Sequence, residues 1–228
     1  MPEAAVITFP GSNCDDDLIY VLGKSGFQVT RLWHKDHPSL SKFQLVLLPG
    51  GFAYGDYLRT GAVAAHSPVM DEVKSFASKG GKVLGVCNGF QILCEAGLLP
   101  GALAINKNLG FVCKDVFLKV ANGASPWVKG IAEGDVLSFP IAHGEGRYIV
   151  SDEEWEKLNE KKQILFQYCG PAGELTEGAN PNGSVKNIAG VCNESQNVMG
   201  LMPHPERATF LRSGDGVKFW TAVSQGLK

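Results

Sequence analysis

The apolar positions of the first half of the chain fall into unbroken runs separated by glycine and proline. Residues 4–9 form one such run, closed by Pro10-Gly11, and predict a strand buried on both faces. Asn13 then stands where a helix N-cap is expected. Asp15, Asp16 and Asp17 fill the first turn, where the helix dipole favours negative charge. Leu18, Ile19 and Leu22 recur at helical spacing, and Gly23 or Gly26 ends the pattern. Residues 27–33 and 44–48 predict a second and a third strand, the latter closing on Pro49-Gly50-Gly51. Val69, Val73 and Phe76 mark a helix that stops at Gly80-Gly81. Residues 82–86 predict a fourth strand, followed at once by a helix-like run, Phe90-Gln91-Ile92-Leu93. Strands alternating with helices in this way predict a parallel sheet covered by helices, with loops after Phe9, Leu48 and Val86 meeting at its carboxyl edge.

The second half has shorter runs, 111–120, 136–142, 164–169, 188–193 and 198–202, separated by Gly, Asn and Pro. The stretch 178–183, Gly-Ala-Asn-Pro-Asn-Gly, is a turn signal. Residues 216–225 predict a C-terminal helix. The expected fold is α/β, an open and mostly parallel central sheet flanked by helices, with a mixed or antiparallel extension. Residues 1–228 are expected to form one domain.

Composition narrows the function classes. The 228 residues are 44% hydrophobic and 19% charged, enough for a substantial core. The net charge of −2 comes without a basic patch, which argues against nucleic-acid binding. No apolar run reaches 18 residues, so no membrane span is expected. Met1-Pro2-Glu3-Ala4 lacks the charged-then-apolar pattern of an export signal, and the expected compartment is the reducing cytoplasm. Of the six cysteines, none is paired at Cys-x-x-Cys spacing, so no zinc site is expected. Cys14, Cys94, Cys113, Cys169 and Cys192 read as small buried apolar residues, and Cys14 lies in a turn-rich segment close to where a site could form.

The sixth, Cys87, lies in Gly85-Val86-Cys87-Asn88-Gly89. Small residues two positions either side let the backbone bend sharply between a strand and a helix and leave a nucleophile exposed. Such a match also arises by chance around an inert core cysteine, so the rest of the chain must decide. A thiol nucleophile needs a base, and the base needs an orienter. His204 follows an apolar strand in Pro203-His204-Pro205-Glu206. In extended backbone, residues two apart point the same way, so Glu206 can hold the imidazole. Alone, this motif is equally an exposed turn. The backbone N–H groups of Asn88 and Gly51 are the candidate oxyanion donors. His143, in Ala142-His143-Gly144-Glu145-Gly146-Arg147, is a candidate ligand contact. His34 and His37 read as solvated, and His66 as structural or surface.

Cys87 on its turn, the Pro-Gly-Gly loop and the late His-x-Glu together resemble class I (triad) glutamine amidotransferases. The blocks FPGSNCD (9–15), PGGFAYGDYLRTGA (49–62), GVCNGFQIL (85–93), AHGEGRY (142–148), NPNGS (180–184), NIAGV (187–191) and GLMPHPERA (200–208) run through nearly the whole chain. They resemble the branch of glutaminase subunits that serves purine biosynthesis. The resemblance implies a flavodoxin-like fold and a Cys87-His204-Glu206 triad that hydrolyses glutamine. It implies that ammonia passes to a separate ATP- and magnesium-using synthetase making formylglycinamidine ribonucleotide, with a small third subunit often bridging the two. It implies that Gln91, Gly51, His143, Gly144 and Glu145 line the glutamine pocket, and that no cofactor or metal resides in this chain. Asp16 stands where the family pattern has a basic residue, which leaves a role for that helix start open. The rival readings are another thiol hydrolase with a similar elbow, a γ-glutamyl peptidase or DJ-1-like protein, the glutaminase of pyridoxal phosphate synthesis, and a non-catalytic regulatory subunit on the same fold.

Overall fold

The computed structural model describes residues 1–209 and 215–227. In chain order the elements are β1 (Glu3–Thr8), α1 (Asp15–Lys24), β2 (Gln28–Trp33), β3 (Leu45–Leu48), α2 (Val69–Ser78), β4 (Lys82–Val86), α3 (Asn88–Glu95), β5 (Ala102–Ala104), β6 (Val112–Val120), β7 (Val136–His143), β8 (Arg147–Ile149), α4 (Asp152–Glu160), β9 (Ile164–Cys169), β10 (Ile188–Cys192), β11 (Val198–Leu201) and α5 (Gly216–Gly226). Nine strands form one sheet in the order β2-β1-β3-β4-β11-β10-β9-β6-β7, and β5 pairs with β8 in a small ribbon. The β2-β1-β3-β4-β11 half is parallel and the β10-β9-β6-β7 half is antiparallel. This is the mixed architecture expected from the change of pattern at mid-chain.

The parallel half is the core. All four residues of β3 are buried, as are the middle residues of β1 and the whole of β11. Helices cover both faces of these inner strands, which therefore have no polar side, while the edge strand β2 stays partly exposed. The antiparallel β7 alternates buried and half-buried residues along its full length, the mark of one solvated face. Among the described residues no helix is long and apolar enough to cross a membrane.

The structure corrects several local expectations. Helix α1 starts after Cys14, with no side-chain cap, and Asn13 Oδ1 accepts from the Cys14 thiol at 3.1 Å instead. The aspartates do occupy the first turn. Asp15 accepts from Thr8 Oγ1 at 3.0 Å, and Asp16 pairs with Arg31. His34 is buried, not solvated, and meets the Tyr54 hydroxyl at 2.8 Å. Cys113 is exposed on the outward-facing start of β6, and Cys94, on α3, is half-buried. Helix α4 has no sequence-derived counterpart. Only Leu158 is buried on it, so no apolar period announces it, and it rests on a capping box between Ser151 and Glu154.

Candidate active site

The site forms where the carboxyl ends of β1, β3, β4 and β11 come together. Phe52 N donates to Gly11 O at 2.9 Å and Asn13 N to Gly50 O at 3.3 Å, so the loops after β1 and β3 are stitched to each other. Ala53 N donates to Asn88 Oδ1 at 3.1 Å, which ties the β3 loop to the start of α3.

Cys87 joins β4 to α3 with φ +51° and ψ −104°, a conformation that costs an L-residue energy and persists only where the surroundings enforce it. The glycines explain how it is enforced. A Cβ at Gly85 would lie 2.6 Å from the Gly89 backbone, and one at Gly89 would overlap the Leu48 carbonyl oxygen of β3. The start of α3 therefore sits directly on the strand ends. Cys87 N donates to Leu201 O at 2.8 Å, and the Cys87 sulfur lies 3.9 Å from Ala142 O.

His204 arrives from β11, and its N–H donates to Pro140 O at 2.8 Å. The expected extended geometry is not what pairs it with Glu206. Pro205–Arg207 is a single 3₁₀ turn, and the turn swings Glu206 back so that Oε1 meets His204 Nδ1 at 2.6 Å. Both side chains are buried. Gly50 makes room for the ring, since a Cβ there would stand 2.7 Å from His204 Cε1. Burial alone would push the His204 pKa down. Glu206 outweighs it, with help from Cys87 and Cys14, and the pKa lies well above the ordinary value.

Two thiols flank this imidazole, and geometry separates them. Cys14 Sγ lies 3.9 Å from Nδ1, the nitrogen already held by Glu206. Cys14 is buried, and burial raises its pKa, with His204 offsetting part of the rise. It does not line the pocket. Cys87 does, and it belongs to the groups that raise the His204 pKa. Ligand atoms of Cys14, His204 and Glu206 lie within 4.8 Å of one another, but a cation there would have to break the 2.6 Å bond.

The pocket beside Cys87 has a volume of about 200 Å³. Its walls bring together Gly51, Cys87, Gln91, His143, Gly144 and Glu145, the residues expected from the sequence. Phe52, Asp56, Thr60, Phe111 and Ala142 complete it. Gly51 occupies the non-hydrogen-bonded position of its bridge to Ser12, so its N–H is directed away from that partner. Asn88 is the first residue of α3, whose opening N–H groups have no partner within the helix. Gln91 is already partly engaged. Its Nε2 donates to Glu145 O at 2.7 Å and its Oε1 accepts from Asn88 Nδ2 at 3.0 Å. Of the five residues that complete the pocket, none of which sequence reasoning assigned, Asp56 and Thr60 are the ones with polar side chains, and both lie in the quoted 49–62 block. Burial, with Glu145 nearby, raises the Asp56 pKa to about 6. A larger depression of about 420 Å³ over Lys107, Glu177 and 180–184 contains none of the nucleophile or imidazole groups.

The model of the CobB/CobQ-like glutamine amidotransferase domain matches residues 1–224. The phosphoribosylformylglycinamidine synthase subunit PurQ of Koribacter versatilis is 54% identical over 221 residues, covering 96% of this chain and 95% of that protein. The subunit of the same name from Aquifex aeolicus is 53% identical, covering 96% and 97%. A chain in the structure of PurLQS from Thermotoga maritima superposes with a TM-score of 0.87 at 42% identity, covering 100% of this chain and 99% of that one.

Proposed function

This chain belongs to the CobB/CobQ-like glutamine amidotransferase family, and on that premise we propose that it is the glutaminase subunit of phosphoribosylformylglycinamidine synthase, with Cys87, His204 and Glu206 as its catalytic residues. The observation that carries the reading is the buried His204–Glu206 pair at 2.6 Å beside a strained, pocket-lining Cys87.

Glutamine enters with its side-chain amide toward Cys87. Glu145 and Asp56, on the same pocket wall, meet its α-ammonium group. His204 takes the thiol proton, and sulfur adds to the amide carbon. The N–H groups of Gly51 and Asn88 receive the developing oxyanion, each worth about 3 kcal/mol. His204, its charge balanced by Glu206, returns the proton to the leaving nitrogen, and ammonia departs. His204 then takes a proton from water, which attacks the γ-glutamyl thioester and releases glutamate.

Ammonia is consumed by a synthetase subunit in the same complex, where formylglycinamide ribonucleotide becomes the amidine at the expense of ATP. The superposition on a PurLQS chain supports that partnership and a third, bridging subunit. Tyr57 and Leu58, exposed in the strained loop beside the pocket, are the surface offered to the synthetase. On this reading the chain is a one-domain cytoplasmic subunit. The test is Cys87→Ala in the assembled complex. Glutamine-driven synthesis should vanish while ammonia-driven synthesis continues, and equal loss of both would refute the division of labour.

A further inference from the structure

Asn106 is fully buried and makes an unusually complete set of hydrogen bonds for a residue outside any strand or helix. Its Nδ2 donates to Gly110 O and to His143 O, both at 2.9 Å. Its Oδ1 accepts from Gly146 N at 3.0 Å and faces His143 Nδ1 at 3.2 Å. Its own N–H donates to Gly144 O at 2.9 Å. One side chain thus ties down both ends of the 143–146 segment that forms a wall of the pocket.

These partners also settle a proton. Two carbonyl oxygens can only accept, so the amide nitrogen of Asn106 must be the atom that faces them. A backbone N–H can only donate, so the amide oxygen must face Gly146. The atom opposite His143 Nδ1 is therefore an acceptor, and Nδ1 must carry the hydrogen. Nε2 is left with a bare lone pair. It is buried, and it has no hydrogen-bond partner in the protein. His143 is 3% exposed and lines the pocket, and the carbonyl of the preceding Ala142 lies 3.9 Å from the Cys87 sulfur. The unpaired nitrogen thus belongs to a residue of the pocket wall that also holds Cys87.

We infer that Asn106 locks His143 as an acceptor whose Nε2 takes an N–H of the scissile carboxamide, and that this pair makes the site select glutamine over glutamate. The inference rests on the glutaminase reading given above. Glutamate has the same shape as glutamine, but its γ-carboxylate carries no hydrogen to donate. Its oxygen would face the imidazole lone pair, and a buried acceptor would stay unpaired. The same mismatch drives product out once the thioester is hydrolysed. The role requires a ring that stays neutral. Burial first, and the nearby His204 second, lower the His143 pKa to about 4. The other titratable groups of the pocket are Cys87, Asp56 and Glu145.

The test uses the chain assembled with its synthetase partner. His143→Leu removes the acceptor, and His143→Gln can present an oxygen near the position of Nε2. The leucine variant should lose about 10-fold in kcat/KM for glutamine, with the inhibition constant of glutamate unchanged or lower, and the glutamine variant should recover most of the loss. Equal weakening of glutamine and glutamate by His143→Leu, or no change in either, would overturn the inference. Asn106→Asp sets a carboxylate beside Nδ1 and should add an acid limb to the kcat/KM profile above pH 4. An unmoved profile in the folded variant would overturn the lock. Nitrogen-15 spectra of the wild-type imidazoles test the tautomer without any substitution, and a protonated Nε2 on neutral His143 would contradict it. If Cys87→Ala still turned over glutamine, the glutaminase reading itself would fail instead.

Discussion

Replacing Glu206 by glutamine tests how the buried pair works. The substitution keeps the shape of the side chain and removes its charge, 2.6 Å from His204 Nδ1, where neither side chain reaches solvent. In the proposed mechanism His204 holds a proton between thiol activation and ammonia departure. Without Glu206 the imidazolium loses its counter-charge in a medium that burial already makes hostile to it. A loss of about 10²- to 10⁴-fold in kcat/KM follows, roughly 3–5 kcal/mol of transition-state stabilisation. The same pair governs stability. The folded pKa of His204 lies above its unfolded value of about 6.5. Its protonated form therefore contributes stability fully below pH 6.5, and the contribution is lost as pH rises through the folded pKa. Breaking a buried pair costs about 3–5 kcal/mol while both partners are charged. Urea unfolding of wild type and Glu206→Gln should thus differ most at pH 6 and converge as the solution becomes strongly alkaline. A variant with wild-type kcat/KM, or a stability gap that widens with rising pH, would refute this reasoning.

Other substitutions probe the scaffold and the pocket. Gly89→Ala drives a methyl into the Leu48 carbonyl, and thermal melts should show a destabilisation of several kcal/mol or failure to fold. Gly50→Ala presses on the imidazole at 2.7 Å and should lower glutamine turnover at least ~10-fold while circular dichroism stays native. Cys14→Ala should keep glutamine turnover within about 3-fold, because Cys14 lies on the occupied side of His204 and off the pocket. Asp56, with its pKa raised to about 6, becomes anionic as pH rises through that value. KM for glutamine should fall over that interval, and Asp56→Asn should erase the change. The raised pKa also means that the ionised carboxylate destabilises the fold at neutral pH. Asp56→Asn should therefore gain about 1 kcal/mol in urea unfolding at pH 7, a figure reduced for its half-exposed position.

The inner strands of the parallel half were legible because strands buried on both faces must be continuously apolar. β4 runs over the expected residues, and β1 and β3 deviate only at their ends. The elbow was legible for a related reason: Gly85 and Gly89 are forced by contacts that leave no space for a Cβ. His204 and Glu206 were paired correctly through the wrong backbone, since a 3₁₀ turn and an extended segment can both bring residues two apart together. What stayed hidden depends on distant neighbours. His34 looks polar and local in sequence, yet it is buried against Tyr54, twenty residues on. Asn106 carries no motif, and its importance arises from carbonyls at 110 and 143. Helix α4 held a readable capping box but no apolar stripe to draw attention to it.

The most direct measurement is mass spectrometry of the assembled complex, quenched in acid during glutamine turnover and then digested. A γ-glutamyl group on the peptide that carries Cys87, absent in Cys87→Ala, is the predicted result. The same adduct on Cys14, or turnover with no adduct on either thiol, would contradict the account.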